Sequence, residues 1–243
     1  MSDNNAASAD RDHTLAYLRE QFALGNTDEA RNALLRLSPQ GRSEIEARLG
    51  SAAVARMYLA TRRVRGALLG RVVVIHGIMG GRLASVNATG DEDLVWVNYL
   101  RLVAGRISDF ALDSNGESLD PSISIVTKGL LDEYMPLVFE LSRRWRVLPF
   151  AFDWRLDIDN SAAVLNREIS QWANGEPVHI VAHSMGGLVS RRFMQKFPET
   201  WQAMKDPFDL KRGGRLIMLG TPNKGSFAIS FVLTGQELSL IHI

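Results

Sequence analysis

The sequence contains no cysteine. Disulfide frameworks, cysteine nucleophiles and thiolate metal centres are therefore excluded, while the redox compartment stays open, because a cysteine-free chain suits either one. A dominant charge is also missing: 28 Lys and Arg stand against 27 Asp and Glu, a net of +1. Without a field of one sign, nothing steers the chain toward nucleic acid, and none is expected as a partner. Long apolar runs are absent too. A spanning helix needs roughly 20 consecutive apolar residues, whereas Leu68 to Met79 is interrupted by Arg71 and His76, and Phe227 to Leu233 is too short. The polar, acidic start from Met1 to Ala6 lacks the basic-then-apolar layout of a secretory leader, so the expected location is cytoplasmic, with a peripheral membrane contact left open. The five histidines form no His-x-x-x-His pair or other cluster with ligand spacing, so neither a metal nor another cofactor is expected. Chemistry falls to Ser, His, Asp, Glu or Lys.

What the chain does have is enough apolar mass, 46% of 243 residues, for a sizeable core. Residues 1–10 read as a disordered lead. Residues 11–65 read as a helical region: Leu15, Leu18 and Phe22 share a face, Gly25 marks a stop, and Thr27 is placed to cap a second helix through Leu34 and Leu35. Pro39 and Gly41 are expected to break the chain, and Ser43 with Glu46 forms a capping box opening a third helix through Ile45, Leu49 and Tyr58. No chemical motif lies here, so the region reads as a docking or spacer unit whose protein partner the sequence does not name.

From residue 66 to 237 the pattern changes to short apolar runs alternating with helical stretches. Val72 to Ile75 is β-branched with no polar interruption, as in a strand buried on both faces. Extended segments are expected at 95–97, 122–126, 147–152, 178–182 and 216–219, and helices at 132–144, with Pro136 tolerated in the first turn, and at 161–173 and 186–197. The alternation predicts an α/β fold, a mostly parallel sheet flanked by helices.

The sharpest signal is Ala182-His183-Ser184-Met185-Gly186-Gly187, between a strand and a helix. A direct strand-to-helix turn strains the serine and crowds the backbone, so positions two before and two after must be small. Ala182 and Gly186 meet that need, which marks Ser184 as a nucleophile and the Met185 N–H as an oxyanion donor at a helix N-terminus. His183 reads as structural or as pocket floor rather than as the base. The loop His76-Gly77-Ile78-Met79-Gly80-Gly81 leaves the buried strand, and its glycines free backbone N–H groups for a substrate carbonyl, with Ile78 or Met79 as the second donor and His76, Gly77 and Gly80 as supports. Neither Gly-x-Gly-x-x-Gly nor Gly-Lys-Ser/Thr is present, which argues against a nucleotide loop.

Taken in order, His76 to Gly81, Val95 to Asn98, Tyr134, Phe152-Asp153-Trp154-Arg155-Leu156, His183 to Gly187 and Gly220 to Ser226 resemble the signature of the α/β-hydrolases, and within them the lecithin:cholesterol acyltransferase-like lipases and acyltransferases, over roughly residues 70 to 230. Ala182 departs mildly from the usual first glycine of the elbow. The resemblance implies an ester-cleaving or acyl-transferring serine enzyme acting on a lipid or other hydrophobic ester. Asp153 and Arg155 are expected to pair and brace a loop, with Trp154 as a wall of the acyl pocket.

A triad in this fold runs Ser, then acid, then His. After Ser184 the chain offers Glu199, Asp206, Asp209, Glu237 and His242, none in a convincing context, so the chain itself is expected to lack its acid and base and to be inactive. Leu238 to Ile243 is also the translation of a DNA stretch resembling the transposon end used to fragment DNA for sequencing libraries. It is expected to be an adapter-derived tail on a natural chain that runs on, the other reading being a genuine strand edge. A second function remains open: a non-catalytic α/β-hydrolase-like module that binds a ligand or a protein.

Overall fold

The computed structural model describes residues 14–62, 67–209 and 211–226. The expectations for the lead at 1–10 and the tail at 238–243 lie outside the described residues, as do Glu237 and His242.

Among the described residues four helices come first: α1 (Leu15–Ala23), α2 (Thr27–Leu35), α3 (Pro39–Leu49) and α4 (Ser51–Ala60). Thr14 caps α1 by accepting from the Tyr17 N–H. Two expected caps are corrected. Thr27 is already helical and follows Asn26, which makes no side-chain cap bond; its amide NH2 donates to Gln21 Oε1. Ser43 lies inside α3, and Ser38 is the cap, accepting from the Gly41 N–H at 3.2 Å. The reason is that Pro39, expected to break the chain, instead starts the helix: its fixed φ suits a first turn, where its missing N–H costs nothing. Gly50, at φ +82°, then divides what reads as one helix into α3 and α4.

The α/β part contains β1 (Arg71–Ile75), β2 (Gly81–Val86), β3 (Glu92–Trp96), α5 (Tyr99–Val103), β4 (Ser124–Leu130), α6 (Met135–Leu141), β5 (Arg146–Phe150), α7 (Ile158–Ala173), β6 (Val178–His183), α8 (Met185–Lys196), α9 (Pro198–Ala203) and β7 (Leu216–Leu219). Strands β5, β1, β6 and β7, in that order, form a parallel sheet in which β1 pairs with β5 and β6, Ile75 lying opposite Phe150 and Ala182. This register brings the C-terminal ends of β1, β5 and β6 to one rim, where open α/β sheets collect their sites. A second sheet, antiparallel in the order β3-β2-β4, stands beside it.

Helices cover both faces of the parallel sheet. Alternation along β1 sends Val72 and Val74 into a core shared with α1 to α4 and α6, and Val73 and Ile75 into a second core with α7, α8 and α9. The N-terminal helices thus bury the apolar face of the sheet instead of standing apart from it. Leu18, Phe22, Leu34, Ile45 and Met57 are all fully buried in that shared core. Each such side chain contributes about 1.5–3 kcal/mol relative to an exposed one.

Candidate active site

β6 ends at His183 and α8 begins at Met185, leaving Ser184 alone in the turn at φ +50° and ψ −122°. A non-glycine residue there is strained, and the surroundings show what holds it. The Ser184 N–H donates to the Leu219 carbonyl of β7 at 2.8 Å, so the turn is pinned to the sheet edge. A Cβ on Gly186 would lie 2.4 Å from the His76 carbonyl oxygen, and one on Gly77 2.8 Å from the Ser184 Cβ. Elbow and glycine loop therefore touch, and each contact requires glycine. A Cβ on Gly187 would collide with the Thr221 side chain at 2.0 Å, which brings the Gly220-Thr221-Pro222 loop against the start of α8.

Within the glycine loop, Met79 is left-handed at φ +61°, and the Gly80 N–H closes a turn onto the Gly77 carbonyl at 3.1 Å. The N–H groups of Ile78, Met79 and Met185 have no acceptor among the described residues. The Gly77 N–H is engaged. It donates to the Tyr134 hydroxyl at 3.0 Å, and that hydroxyl in turn lies 2.8 Å from His183 Nδ1. With the hydroxyl oxygen accepting from Gly77, its own hydrogen goes to His183, whose ring proton then sits on Nε2. Burial pushes the His183 pKa down, in keeping with a neutral ring, and burial likewise raises that of Tyr134. Tyr134 is the residue that sequence reasoning missed as part of the site. The signal available was its place in the ordered motif set, which says nothing of where the hydroxyl goes.

His76 is fully buried and stacked on Phe152 at 4.1 Å. Its Nε2 accepts from the Phe152 N–H at 3.1 Å and its Nδ1 donates to the Gly77 carbonyl at 2.6 Å, so both ring nitrogens are committed. Burial, the main cause, lowers its pKa to about 4. His76 is thus a neutral brace between the ends of β1 and β5. A Cβ on Gly81 would lie 2.7 Å from its Nε2, and one on Gly80 2.7 Å from the Tyr134 hydroxyl.

Asp153 and Arg155 form the expected pair: Arg155 Nη2 meets Asp153 Oδ2 at 2.6 Å and Nε meets Oδ1 at 2.9 Å, while Nη1 donates to the Phe110 carbonyl at 3.0 Å. That third bond ties the strand end to the segment after β3. Trp154 donates to the Gly81 carbonyl at 3.1 Å and meets Trp96 edge to face at 5.4 Å, and Trp96 donates to the Met79 carbonyl at 2.8 Å. The two indoles clamp the far side of the glycine loop.

Among the described residues, two of the carboxylates that follow Ser184 are engaged by nearby backbone. Asp206 accepts from the N–H groups of Phe208 and Asp209, which hold its pKa below the usual range, and Asp209 accepts from the Lys211 N–H. Glu199 lies in the first turn of α9. Among the described residues no group of three or more His, Cys, Asp or Glu is placed to hold a metal ion, and no helix is long and apolar enough to cross a membrane.

Residues 139–242, from α6 through β5, the elbow and β7, match the model of the lecithin:cholesterol acyltransferase family. Over that stretch the chain is similar to the lecithin:cholesterol acyltransferase family. An uncharacterized protein of Saccharomyces cerevisiae is 28% identical over 143 residues, which is 53% of this chain and 21% of that protein. The chain therefore spans about a fifth of that curated relative. The crystal structure of the Bacillus licheniformis lipase BlEst2 in mature form aligns at a TM-score of 0.34 and 17% identity, over 74% of this chain and 52% of the lipase.

Proposed function

We propose that the intact protein cleaves or transfers the acyl group of a lipid or other hydrophobic carboxylic ester through an acyl-enzyme on Ser184. The observation that carries this reading is the backbone of Ser184, at φ +50° in a strand-to-helix turn, with the loop after β1 packed directly against it. Strain of that kind, about 1–3 kcal/mol, persists only where surrounding structure enforces it. It lifts the hydroxyl out of the sheet at the N-terminus of α8, a helix of 12 residues.

In this reading the Ser184 Oγ attacks the ester carbonyl, and the oxygen that becomes negative is received by the uncommitted N–H of Met185 and that of Ile78 or Met79. The C–O bond to the alcohol then breaks, leaving the acyl group on Ser184. Water completes hydrolysis, and a second alcohol completes transfer. Gly77 contributes no N–H to this oxyanion, because Tyr134 holds it. Neither His76 nor His183 serves as base: the first has both nitrogens bonded and the second directs Nδ1 to Tyr134. The reading places the base and its acid after Ser226, in the chain order Ser, acid, His. The family supports a lipid-like ester, and the paired indoles of Trp96 and Trp154 beside the loop offer an apolar wall for its acyl chain.

The test is labelling of the full-length gene product with a fluorophosphonate. Wild type should be labelled at Ser184 and Ser184→Ala should not. An unlabelled wild type, or equal labelling of both, would defeat the proposal and favour a module that binds a ligand or protein without turning it over.

A further inference from the structure

Charge that balances over the whole chain is not evenly spread. At the end of the parallel sheet away from the elbow, the strands begin among arginine and lysine. Arg71 and Arg146 open β1 and β5 and stand opposite each other in the register, and residues 211–215 lead into β7. Contacts to the sheet hold that last segment in place: His179 of β6 accepts from the Arg215 N–H at 3.2 Å through Nδ1 and donates from Nε2 to the Lys211 carbonyl at 2.9 Å, and a Cβ on Gly70 would lie 2.8 Å from the Arg212 carbonyl oxygen. The segment before β5 joins the same end. The Arg144 carbonyl accepts from the Leu69 N–H at 2.8 Å, and Arg143 Nε donates to the Arg62 carbonyl at 3.3 Å.

Three carboxylates at this end are matched one to one: Glu176 with Arg71 at 2.8 Å, Glu140 with Arg143 at 2.7 Å and Asp206 with Arg212 at 3.4 Å. A fourth, Asp209, accepts from the Lys211 N–H. The bond from Arg71 holds the Glu176 carboxyl below its usual range, and the charges of Arg146 and Arg212 add to that. Arg62, Arg144, Arg146, Lys211 and Arg215 are exposed and form no ion pair among the described residues. With Lys205 and, at the far end of α9, Glu199 included, nine cations stand against five carboxylates. Phe208 projects from the same surface, 96% exposed. Its turn is held firmly: Asp206 Oδ1 accepts from the Phe208 and Asp209 N–H groups at 2.8 and 2.9 Å, and the Arg212 N–H donates to the Asp209 carbonyl at 3.0 Å. Leu68 and Leu69, just before β1, are exposed as well.

We propose that this end of the sheet docks on an anionic lipid surface, with Phe208 entering the headgroup layer and the unpaired arginine and lysine side chains meeting lipid phosphates. Several cations on one face are drawn to an anionic layer. Apolar side chains among them enter the boundary between headgroups and acyl chains, while the long basic side chains extend to the charged groups. A nucleic acid or an acidic protein segment would satisfy the cations and leave Phe208 in water. The inference does not rest on the reaction assigned to Ser184, which lies at the opposite rim of the sheet.

Flotation of the full-length gene product with lipid vesicles tests it, in the Ser184→Ala background so that no lipid is consumed. Vesicles of phosphatidylcholine and phosphatidylglycerol in equal parts should be bound roughly tenfold more tightly than phosphatidylcholine alone, and the difference should shrink as salt is raised. Arg215→Glu should weaken binding to the anionic vesicles roughly tenfold, whereas Arg101→Glu, the same change of charge on α5, should leave it within about twofold. Phe208→Ser alters a ring that packs on nothing and should weaken binding severalfold with thermal unfolding unchanged. Equal binding to the two kinds of vesicle, equal losses in Arg215→Glu and Arg101→Glu, unchanged binding in Phe208→Ser, or tighter binding to duplex DNA or polyglutamate than to the anionic vesicles would each overturn the assignment.

Discussion

The Tyr134 hydroxyl joins three segments that are far apart in the chain, and its removal offers a measurement of how firmly the elbow and the glycine loop are tied together. Tyr134→Phe deletes one oxygen and keeps the ring. Two bonds go with it, from the Gly77 N–H at 3.0 Å and to His183 Nδ1 at 2.8 Å. Gly77 is buried, so its N–H has no ready substitute, and leaving such a donor unpaired costs about 1–3 kcal/mol. His183 is half-buried and can turn toward water, so its share is smaller. A loss of about 1–3 kcal/mol in urea unfolding is therefore expected, with an unchanged m-value, because the surface exposed on unfolding stays the same. Stability alone does not separate a structural role from a positioning one. The ring nitrogens of His183 do: nitrogen-15 spectra of the wild type should show an Nε2–H tautomer with Nδ1 accepting, and Tyr134→Phe should move the Nδ1 resonance and alter the titration of that ring. Fluorophosphonate labelling of Ser184 in the full-length protein should slow by more than the change in folded fraction explains. A stability loss below about 0.5 kcal/mol together with an unmoved His183 signal would refute the reasoning, since neither bond would then be made.

The elbow strain and the buried imidazole yield two further expectations. Ser184→Gly should stabilise the fold by about 1 kcal/mol while abolishing labelling, because glycine adopts φ +50° without the penalty serine carries there; net destabilisation in urea or thermal unfolding would show the turn to be unstrained. His76 titrates near 4 in the folded chain against a reference of about 6.5 unfolded, so below pH 6.5 the unfolded state takes up a proton that the folded state refuses. Its contribution is fully present above pH 6.5 and is lost as pH falls toward 4, up to about 3 kcal/mol. Comparing unfolding of wild type and His76→Gln from pH 7.5 to 4.5 isolates this term, and parallel curves would rule it out.

Short-range chemistry made parts of this protein readable in advance. A four-residue β-branched run, Val72 to Ile75, has no stable place except a strand covered on both faces, and that is where β1 lies. Ala182 and Gly186 around Ser184 announce a turn too tight for larger side chains, and Asp153 with Arg155 announces a pair two residues apart. Each of these rests on forces acting over a few positions. Where two local signals competed, sequence alone chose wrongly: Ser43 and Glu46 have the spacing of a capping box, yet Pro39 admits a helix start at Ser38, and the earlier start wins. Strand β2 went unseen because Gly81-Arg82-Leu83-Ala84 carries little alternation, and its pairing with β3 and β4 supplies what its own residues do not.

What only the tertiary structure decided is the set of polar contacts between distant residues. Tyr134 reaches Gly77 and His183 across 57 and 49 positions, and Arg19 reaches Asp132 across 113. No periodicity or spacing encodes such meetings, since they depend on which faces of which helices the sheet accepts. The sequence by itself determined the elbow, the buried strand and the α/β alternation, because sterics and hydrophobic pattern act along the chain. The fold decided which histidines are committed to bracing and which arginines gather on the buried carboxylate of Asp132, because burial and hydrogen-bond partners exist only once the layers have packed.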